Sequence, residues 1–550
     1  MTDSFSAADD PEYPRGPNIR PVVGAKRRLF LSFSAQTFAI LMRIAQQFLL
    51  VPILIRGWGT ELYADWIIIF STTGFLSILD FGFQIYFANE LIVAWSKQRL
   101  VAYRRLISIA MFIYASILST AVVVLAGISA FVSWPSYFGT HVMSEPMVLH
   151  TAIILAVSTL LPIPFGLVGM IYTAHGDNSR GTVTFIMAET LRGFGICVVV
   201  MLGGWPVTAA LIYLVITVFF CIGIIFDQWR LYGEFQLTIS VPKPSELRQA
   251  LSRAMLYVVP TVTSPVVLYL PVLMLSALGG VSSAVVAYSV SRTFTGFVRQ
   301  IVTQFCHPIG AEMARQAAIS DRVRMRRVFM GAGRLVGGTA GLFGGFTLVV
   351  AGPFLHIWTR GEVAFDPWLI GAFIATIILM APAQVALMIY QYNNRPGILV
   401  IAQGAYMVGI TALCLLLIKD FSATGAAAGA GIAEFLSIGL LLPYAATKEV
   451  SVSLWSYFTR SYAAALGAFV LSYGVARGWN TVLDVHGLVG MIELSMLWAA
   501  VITVPAFFLL LESQERQWVL ENVGERYAKL YRGLRLLQST KVSVKKDRQR

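Results

Sequence analysis

The chain has 550 residues, 57% of them apolar and only 13% charged, with a mean hydropathy of +0.72. Soluble chains carry about 25% charged residues, so composition excludes a soluble multidomain enzyme and indicates an integral membrane protein. The 41 basic and 28 acidic side chains give a net charge of +13. Basic residues of membrane proteins gather in cytoplasmic loops, so this sign has to be read by sidedness before it is read as a nucleic-acid partner.

Residues 1–25 contain Asp9, Asp10, Pro11, Pro14, Pro17 and Pro21 without an apolar run, and read as a disordered cytoplasmic arm with no cleavable signal sequence. A helix needs about 20 apolar residues to cross the hydrocarbon core. About fourteen such blocks follow, at roughly 31–55, 66–91, 106–133, 148–173, 182–202, 207–227, 254–278, 285–308, 329–355, 368–391, 398–418, 425–446, 461–479 and 487–511. The fold class is therefore all-α integral membrane. Pro162 and Pro164 interrupt span 4, and Pro260, Pro265 and Pro271 are expected to bend span 7. After Leu511 the residues Leu520, Val523, Tyr527, Tyr531 and Leu534 recur on one face between basic residues, which reads as an amphipathic helix at the anionic inner leaflet.

An even number of spans returns both termini to one side. With the N-terminus cytoplasmic, 32 of the 41 basic residues fall on inner segments, four on outer segments and five within spans. This bias orients the chain with both termini cytoplasmic and accounts for the charge without a nucleic acid. The outer loops are short, the longest being roughly 134–147, and leave no room for an extracellular catalytic domain. The longest inner connection, 228–253, holds Pro242 and Pro244 and reads as a hinge loop.

An internal repeat agrees with that division. Pro164 precedes Met170-Ile171-Tyr172 and a polar turn by six residues; Pro382 precedes Met388-Ile389-Tyr390 and another polar turn by the same interval, 218 residues later. Both copies end on the cytoplasmic side, so the repeats are parallel. The expected organisation is an N-terminal lobe over 26–227 (spans 1–6), the hinge loop 228–253, and a C-terminal lobe over 254–447 (spans 7–12). Appended spans 13–14 lie within 448–511, and the basic cytoplasmic tail covers 512–550.

A charge at mid-bilayer costs about 2.5–3.5 kcal/mol on insertion scales, so charged groups inside spans face a cavity or a partner. Ser32, Gln36, Arg43 and Gln47 share one face of span 1; Thr73, Ser77, Asp80 and Gln84 share one of span 2; Ser289, Arg292, Gly296, Arg299 and Thr303 share one of span 8. These faces are expected to line a wet central cavity between the lobes whose guanidinium groups suit phosphate or carboxylate. Arg43 can equally pair with Asp80, and Arg299 can snorkel to the cytoplasmic surface. Glu189 and Arg192 are spaced for a local ion pair. Glu434 and Glu493 have no obvious neighbour; Glu434 and Glu189 are the candidates for ion coupling, Glu434 as an isolated carboxylate able to carry a proton. His175 and His307 read as solvated turn residues. Cys197, Cys221, Cys306 and Cys414 all lie in apolar blocks, which argues against disulfides and zinc. There is no Walker P-loop, no catalytic constellation and no sign of a cofactor, and the runs GTAGLFGG (338–345) and GAAAGAGIAE (425–434) read as small-residue faces for close helix packing.

The segments GWGTELYADW (57–66), LDFGF (79–83) and AYSVSRTFTGF (287–297), the last leading to Pro308, resemble the polysaccharide and O-antigen flippases of the multidrug/oligosaccharidyl-lipid/polysaccharide exporter superfamily. The resemblance implies two six-helix lobes in alternating access. It also implies an undecaprenyl-diphosphate-linked glycan as substrate, a bacterial inner membrane, and a polysaccharide polymerase and glycosyltransferases as partners. Arg43 and Arg292 match cavity arginines of the related lipid II flippases; the further basic residues those proteins carry near the start of span 2 are replaced here by Asp65 and Trp66, which favours the polysaccharide branch. On this reading Arg43, Arg292 and Arg299, with Gln36, Gln47 and Asp80, hold the headgroup. The rival functions are a multidrug cation antiporter and an integral-membrane glycosyltransferase or polymer ligase.

Overall fold

The computed structural model describes residues 25–129, 140, 142–232, 241–278, 281–318, 322–392, 396–483, 487–511 and 516–517. The expected N-terminal arm and C-terminal tail lie almost wholly outside these. Among the described residues every regular element is a helix, and ten segments are long and apolar enough to cross a membrane. Two of the ten, Ser34–Asp80 and Gly397–Glu449, are 47 and 53 residues long, about twice what one crossing needs. Each contains one residue with non-helical backbone, Gly59 in the first and Ser422 in the second, where two spans meet. Two further helices, Ser282–Ala318 and Leu454–Asn480, have span length with more polar residues. The chain is a multi-pass membrane protein, and where their residues are described the fourteen blocks read from the sequence correspond to helix, apart from a break inside the second.

Several helices depart from simple rods. Span 2 continues from the helix Ala25–Gly74 through a 3-10 turn, Phe75–Asp80, and resumes as Phe83–Ser96. Phe81 (φ 47°) and Gly82 (φ 78°) carry the break in left-handed conformations. Span 12 contains a π-helical turn, Phe435–Gly439. Span 7 runs unbroken as Pro244–Ala277 over all three of its internal prolines, and the connection expected over 228–253 is helical at both ends, to Leu231 and from Pro244.

The chain forms two compact units, the first of Met1–Leu50, Leu79–Phe131 and Ile153–Ala254, the second of Val51–Ile78, Val132–Ala152 and Met255–Arg550. In the first unit several helix ends are tied by polar contacts. Arg105 donates two hydrogen bonds to Glu246 (3.1 and 2.8 Å), which also caps the Lys243 amide (2.7 Å). Arg105 thereby holds the Glu246 carboxyl below its ordinary value. Arg253 pairs with Glu90 at 3.3 Å. Tyr172, fully buried, donates to Asp227, which also receives the Arg180 guanidinium.

His175 sits beside this group, its ring 3.9 Å from each of Trp95 and Tyr232 between centroids, and Nδ1 2.9 Å from the Ile171 carbonyl. It is thus a half-buried member of an aromatic stack and not the solvated turn residue the sequence suggested; Tyr232 closes the stack because its hydroxyl is held by Asp177 at 2.7 Å.

In the second unit spans 13 and 14 are fixed by close helix contact. Gly333, Gly337, Gly341 and Gly345 of the helix Arg322–Thr359 face Tyr457, Ser461, Ala465 and Phe469 of the helix Leu454–Asn480 in matched steps of four. A Cβ at Gly341 would lie 1.9 Å from the Ala465 carbonyl oxygen, so only glycine allows the backbones to approach this far. Ser472 donates to the Leu342 carbonyl at 2.6 Å and accepts from the Trp498 indole at 3.0 Å, which brings span 14 to the same seam. Arg334 completes it by donating to the Leu509 carbonyl. The run 425–434 also packs closely as expected: a Cβ at Gly425 would stand 2.1 Å from the Leu417 carbonyl oxygen.

The sequence repeat has a structural counterpart in each unit. Tyr172 bonds Asp227 in the first; Tyr390, also buried, bonds Glu449 at 3.3 Å in the second. Each tyrosine ends the fourth span of its set of six and each carboxylate ends the sixth.

Two outcomes are expected. Gly341→Leu drives side-chain atoms into the backbone of span 13 and should destabilise by about 3 kcal/mol or more, read as a lowered unfolding temperature in detergent and loss of a monodisperse species, whereas Gly474→Leu, with nothing within 4 Å of its Cβ position, should do neither. Burial holds His175 below its ordinary value, so the folded state binds fewer protons there than the unfolded state. Its contribution is therefore complete above about pH 6.5 and falls as pH drops below that, by at most about 1.4 kcal/mol per pH unit. Unfolding of wild type and His175→Phe measured from pH 7.5 to 5 should show a shallower loss in the variant.

Candidate functional site

The first unit holds Gln36, Arg43, Gln47, Asp80 and Glu189; the second holds Arg292, Arg299 and Glu434. Gln36 and Arg43 are exposed and Gln47 half-buried on the helix Ala25–Gly74. Span 5, Asn178–Met201, approaches this helix where Gly193 leaves no room for a Cβ, the Gln46 amide lying 2.3 Å from the position one would take. That contact brings Glu189, one turn before Gly193, to 3.6 Å from Arg43. Both side chains remain 44% accessible; such open pairs contribute about 1 kcal/mol or less, and part of the Arg43 side chain stays open to a ligand.

Glu189 is therefore paired with Arg43 and not with Arg192 on its own helix. Arg192 turns to the Tyr213 ring, 5.0 Å from its centroid, and donates to the Ala188 carbonyl. The alternative partner for Arg43, Asp80, is engaged elsewhere. Asp80 is 7% exposed; it accepts from the Tyr114 hydroxyl at 2.9 Å and from the Gln84 amide at 3.3 Å. The break at residues 75–82 leaves the first N–H groups of the helix Phe83–Ser96 without helical acceptors, and the Asp80 carboxylate supplies one close to the positive end of the helix dipole. Gln84 then donates to the Ile163 carbonyl at 3.0 Å and fills the space beside Gly166. The LDFGF segment thus positions a carboxylate that replaces backbone hydrogen bonds inside the membrane.

In the second unit, Arg292 lies on the helix Ser282–Ala318. It donates to the Leu268 carbonyl and sits 5.7 Å over the Tyr288 ring. Tyr63, from the GWGTELYADW segment, is within electrostatic reach. Arg292 enters no ion pair among the described residues, so its charge is left uncompensated. Arg299, two turns further, pairs with Glu434. Glu434 is consequently not the isolated carboxylate the sequence suggested, and Arg299 points to a buried acid instead of snorkelling; the partner comes from span 12, remote in sequence.

One buried carboxylate had a role that was not legible beforehand. Asp65, fully buried, accepts from the Val142 and Met143 amides, each at 3.0 Å, and fixes the loop after span 3. Its signal was a carboxylate inside an apolar block; its two donors lie 77 and 78 residues away. The four cysteines are buried thiols. Among the described residues no cluster of His, Cys, Asp and Glu could hold a metal ion.

With this geometry in view, the fold is that of flippases and transporters of known structure. The lipid II flippase MurJ in its inward closed conformation matches with a TM-score of 0.61 at 12% sequence identity, over 88% of this chain and 100% of that one. An inward-facing multidrug resistance MATE family transporter of the MOP superfamily matches with a TM-score of 0.61 at 13% identity, over 74% and 94%. The MATE multidrug transporter DinF-BH gives 0.55 at 16%, over 78% and 97%. At these identities the likeness is one of fold. No protein-family model and no curated protein matches the sequence.

Removing the Tyr114 hydroxyl should leave the buried Asp80 carboxylate short of a donor. Tyr114→Phe is expected to cost about 1–3 kcal/mol, measured as a fall in thermal stability. The double variant Tyr114→Phe/Asp80→Leu should recover part of that loss, and equal stability of wild type and Tyr114→Phe would remove the capping role.

Proposed function

We propose that the chain moves a lipid-diphosphate-linked oligosaccharide from the cytoplasmic to the outer leaflet of a bacterial inner membrane, by alternating access, for export of a cell-surface polysaccharide. The observation that carries this reading is Arg292, an arginine within a span that has a carbonyl and an aromatic ring for company and no carboxylate partner among the described residues. An uncompensated guanidinium in a bilayer is costly, and a planar fork of donors suits phosphate oxygens. Arg43, open on one side of its weak pair with Glu189, is a second cationic contact, with Gln36 and Gln47 on its helix face as hydrogen-bonding partners for sugars. The lipid tail stays in the bilayer throughout. The membrane potential, negative inside, favours outward movement of an anionic headgroup and supplies the direction without ATP. Glycosyltransferases that build the glycan and a polymerase that consumes it are the expected partners.

The fold is shared to the same degree with MATE transporters. A cationic drug as substrate is disfavoured by electrostatics: Arg292 repels it, and the carboxylates Asp80 and Glu434 are already engaged by Tyr114 and Arg299.

The test is transport of a defined diphosphate-linked glycan in vesicles reconstituted with the purified chain. Arg292→Ala should insert normally and lose a charge-assisted contact of about 1.5–3 kcal/mol, which is about a ten- to hundredfold loss of affinity. Arg292→Lys should retain part of the activity. Normal translocation by Arg292→Ala would remove this residue from the site; extrusion of cationic dyes without glycan movement would overturn the reading.

A further inference from the structure

The Arg299–Glu434 pair is unequal in its surroundings. The Glu434 side chain is 7% accessible and the Arg299 side chain 41%. A guanidinium facing acyl chains is strongly disfavoured, so the accessible part of Arg299 faces a polar space in which a ligand can reach it. As it stands the pair is neutral, and an anion approaching Arg299 meets the carboxylate bound to the same guanidinium. Protonation of Glu434 removes that negative charge and leaves Arg299 with its full charge and its free N–H groups.

We propose that a proton and a phosphate or diphosphate group bind here together: Glu434 takes up one proton from water, its ion pair opens, and Arg299 donates to the anion instead. This deepens, and rests on, the reading of the substrate as a lipid diphosphate. The co-bound proton neutralises one negative charge of the headgroup, which lowers the cost of holding that anion in a low-dielectric interior.

The surroundings of Glu434 leave the assignment to one acid. From span 8 it faces Arg299; from span 11 Tyr406, and behind Tyr406 lie Tyr288 and Cys414. The helix Pro367–Tyr392, which packs against span 12, carries no Asp, Glu, Lys, Arg or His, and neither does span 7 between Met255 and Ala277. Lys448 and Glu449 stand at the far end of the same helical run. Glu434 is also the residue directly before the π-helical turn Phe435–Gly439, whose Ser437 hydroxyl is shared between the Ala433 and Glu434 carbonyls. A π turn offers the backbone a second hydrogen-bond register, so the carboxyl can move away from Arg299 without unfolding the span.

The experiment measures binding of farnesyl diphosphate to the full chain in nanodiscs from pH 5.5 to 8, with farnesol as the uncharged control and inorganic pyrophosphate as the lipid-free anion. Glu434→Gln should bind farnesyl diphosphate at least tenfold more tightly than wild type at pH 8, with the ratio approaching one at pH 5.5; the probe's own titration is common to both and cancels in the ratio. Arg299→Gln should bind at least tenfold more weakly than Glu434→Gln at every pH. The double variant Arg299→Gln/Glu434→Gln, which leaves no unpaired buried charge, gives the same reading should Arg299→Gln fail to fold. Farnesyl diphosphate bound in preference to pyrophosphate identifies a lipid headgroup as the ligand, and equal binding identifies the anion alone as sufficient; both uphold the site. Wild type and Glu434→Gln with the same pH dependence would overturn the proposal and leave the diphosphate reading intact. Failure of wild type to bind farnesyl diphosphate at any pH would overturn both.

Discussion

Inside a bilayer a charged or hydrogen-bonding group has no water to fall back on, and the rest of this structure depends on how each such group is satisfied. Arg43 meets Glu189, Arg192 meets the Tyr213 ring, Arg299 meets Glu434 and Arg334 meets the Leu509 carbonyl. Asp65 and Asp80 meet backbone amides, and Asp80 a tyrosine hydroxyl as well. Arg292, like Arg192, has a carbonyl and a ring for partners and enters no ion pair among the described residues; under the proposed function it is the guanidinium that meets an anionic substrate.

The same constraint governs where the helices are interrupted. Span 2 breaks between Phe75 and Gly82, and the amides thus exposed are taken up by Asp80, while Gln84 ties the resumed helix to the Ile163 carbonyl of span 4. The chain passes from the second unit to the first at Ile78–Leu79, inside this break. Interrupted helices are tolerated in membranes where side chains replace the missing ladder, and they are places where a span can change direction at small cost. The tyrosine–carboxylate contact at the end of the fourth and sixth spans of each unit, Tyr172 to Asp227 and Tyr390 to Glu449, serves the opposite purpose. It ties the ends of two spans together within each unit.

Fold and chemistry bear on function separately. Shared architecture with MurJ and with MATE transporters leaves the sign of the substrate open, because both kinds of protein share it. The sign comes from the side chains. Glu434 is paired with Arg299 and Asp80 is engaged by hydrogen-bond donors, whereas Arg292 enters no ion pair among the described residues. That asymmetry is what supports the proposed anionic headgroup. Spans 13 and 14, locked to span 9 by its four glycines and by Ser472 and Trp498, are a fixed part of the second unit.

The sequence by itself determined the all-helical class and the approximate placement of the spans, since hydrocarbon thickness sets helix length and apolar blocks of that length are visible one by one. It also determined the small-residue packing faces and the repeat around Tyr172 and Tyr390, because these are local patterns. The partners of the in-span charges were decided only by the tertiary structure. Glu189 and Arg192 are three residues apart yet do not pair, and Arg299 and Glu434 are 135 apart and do. Which of several possible partners a charge takes depends on how closely two helices approach, and that is set by contacts such as Gly193 against Gln46, far from the charges in sequence. The break in span 2, the π turn beside Glu434 and the stacking of His175 have the same origin: each depends on atoms brought by other helices, which no window along the chain contains.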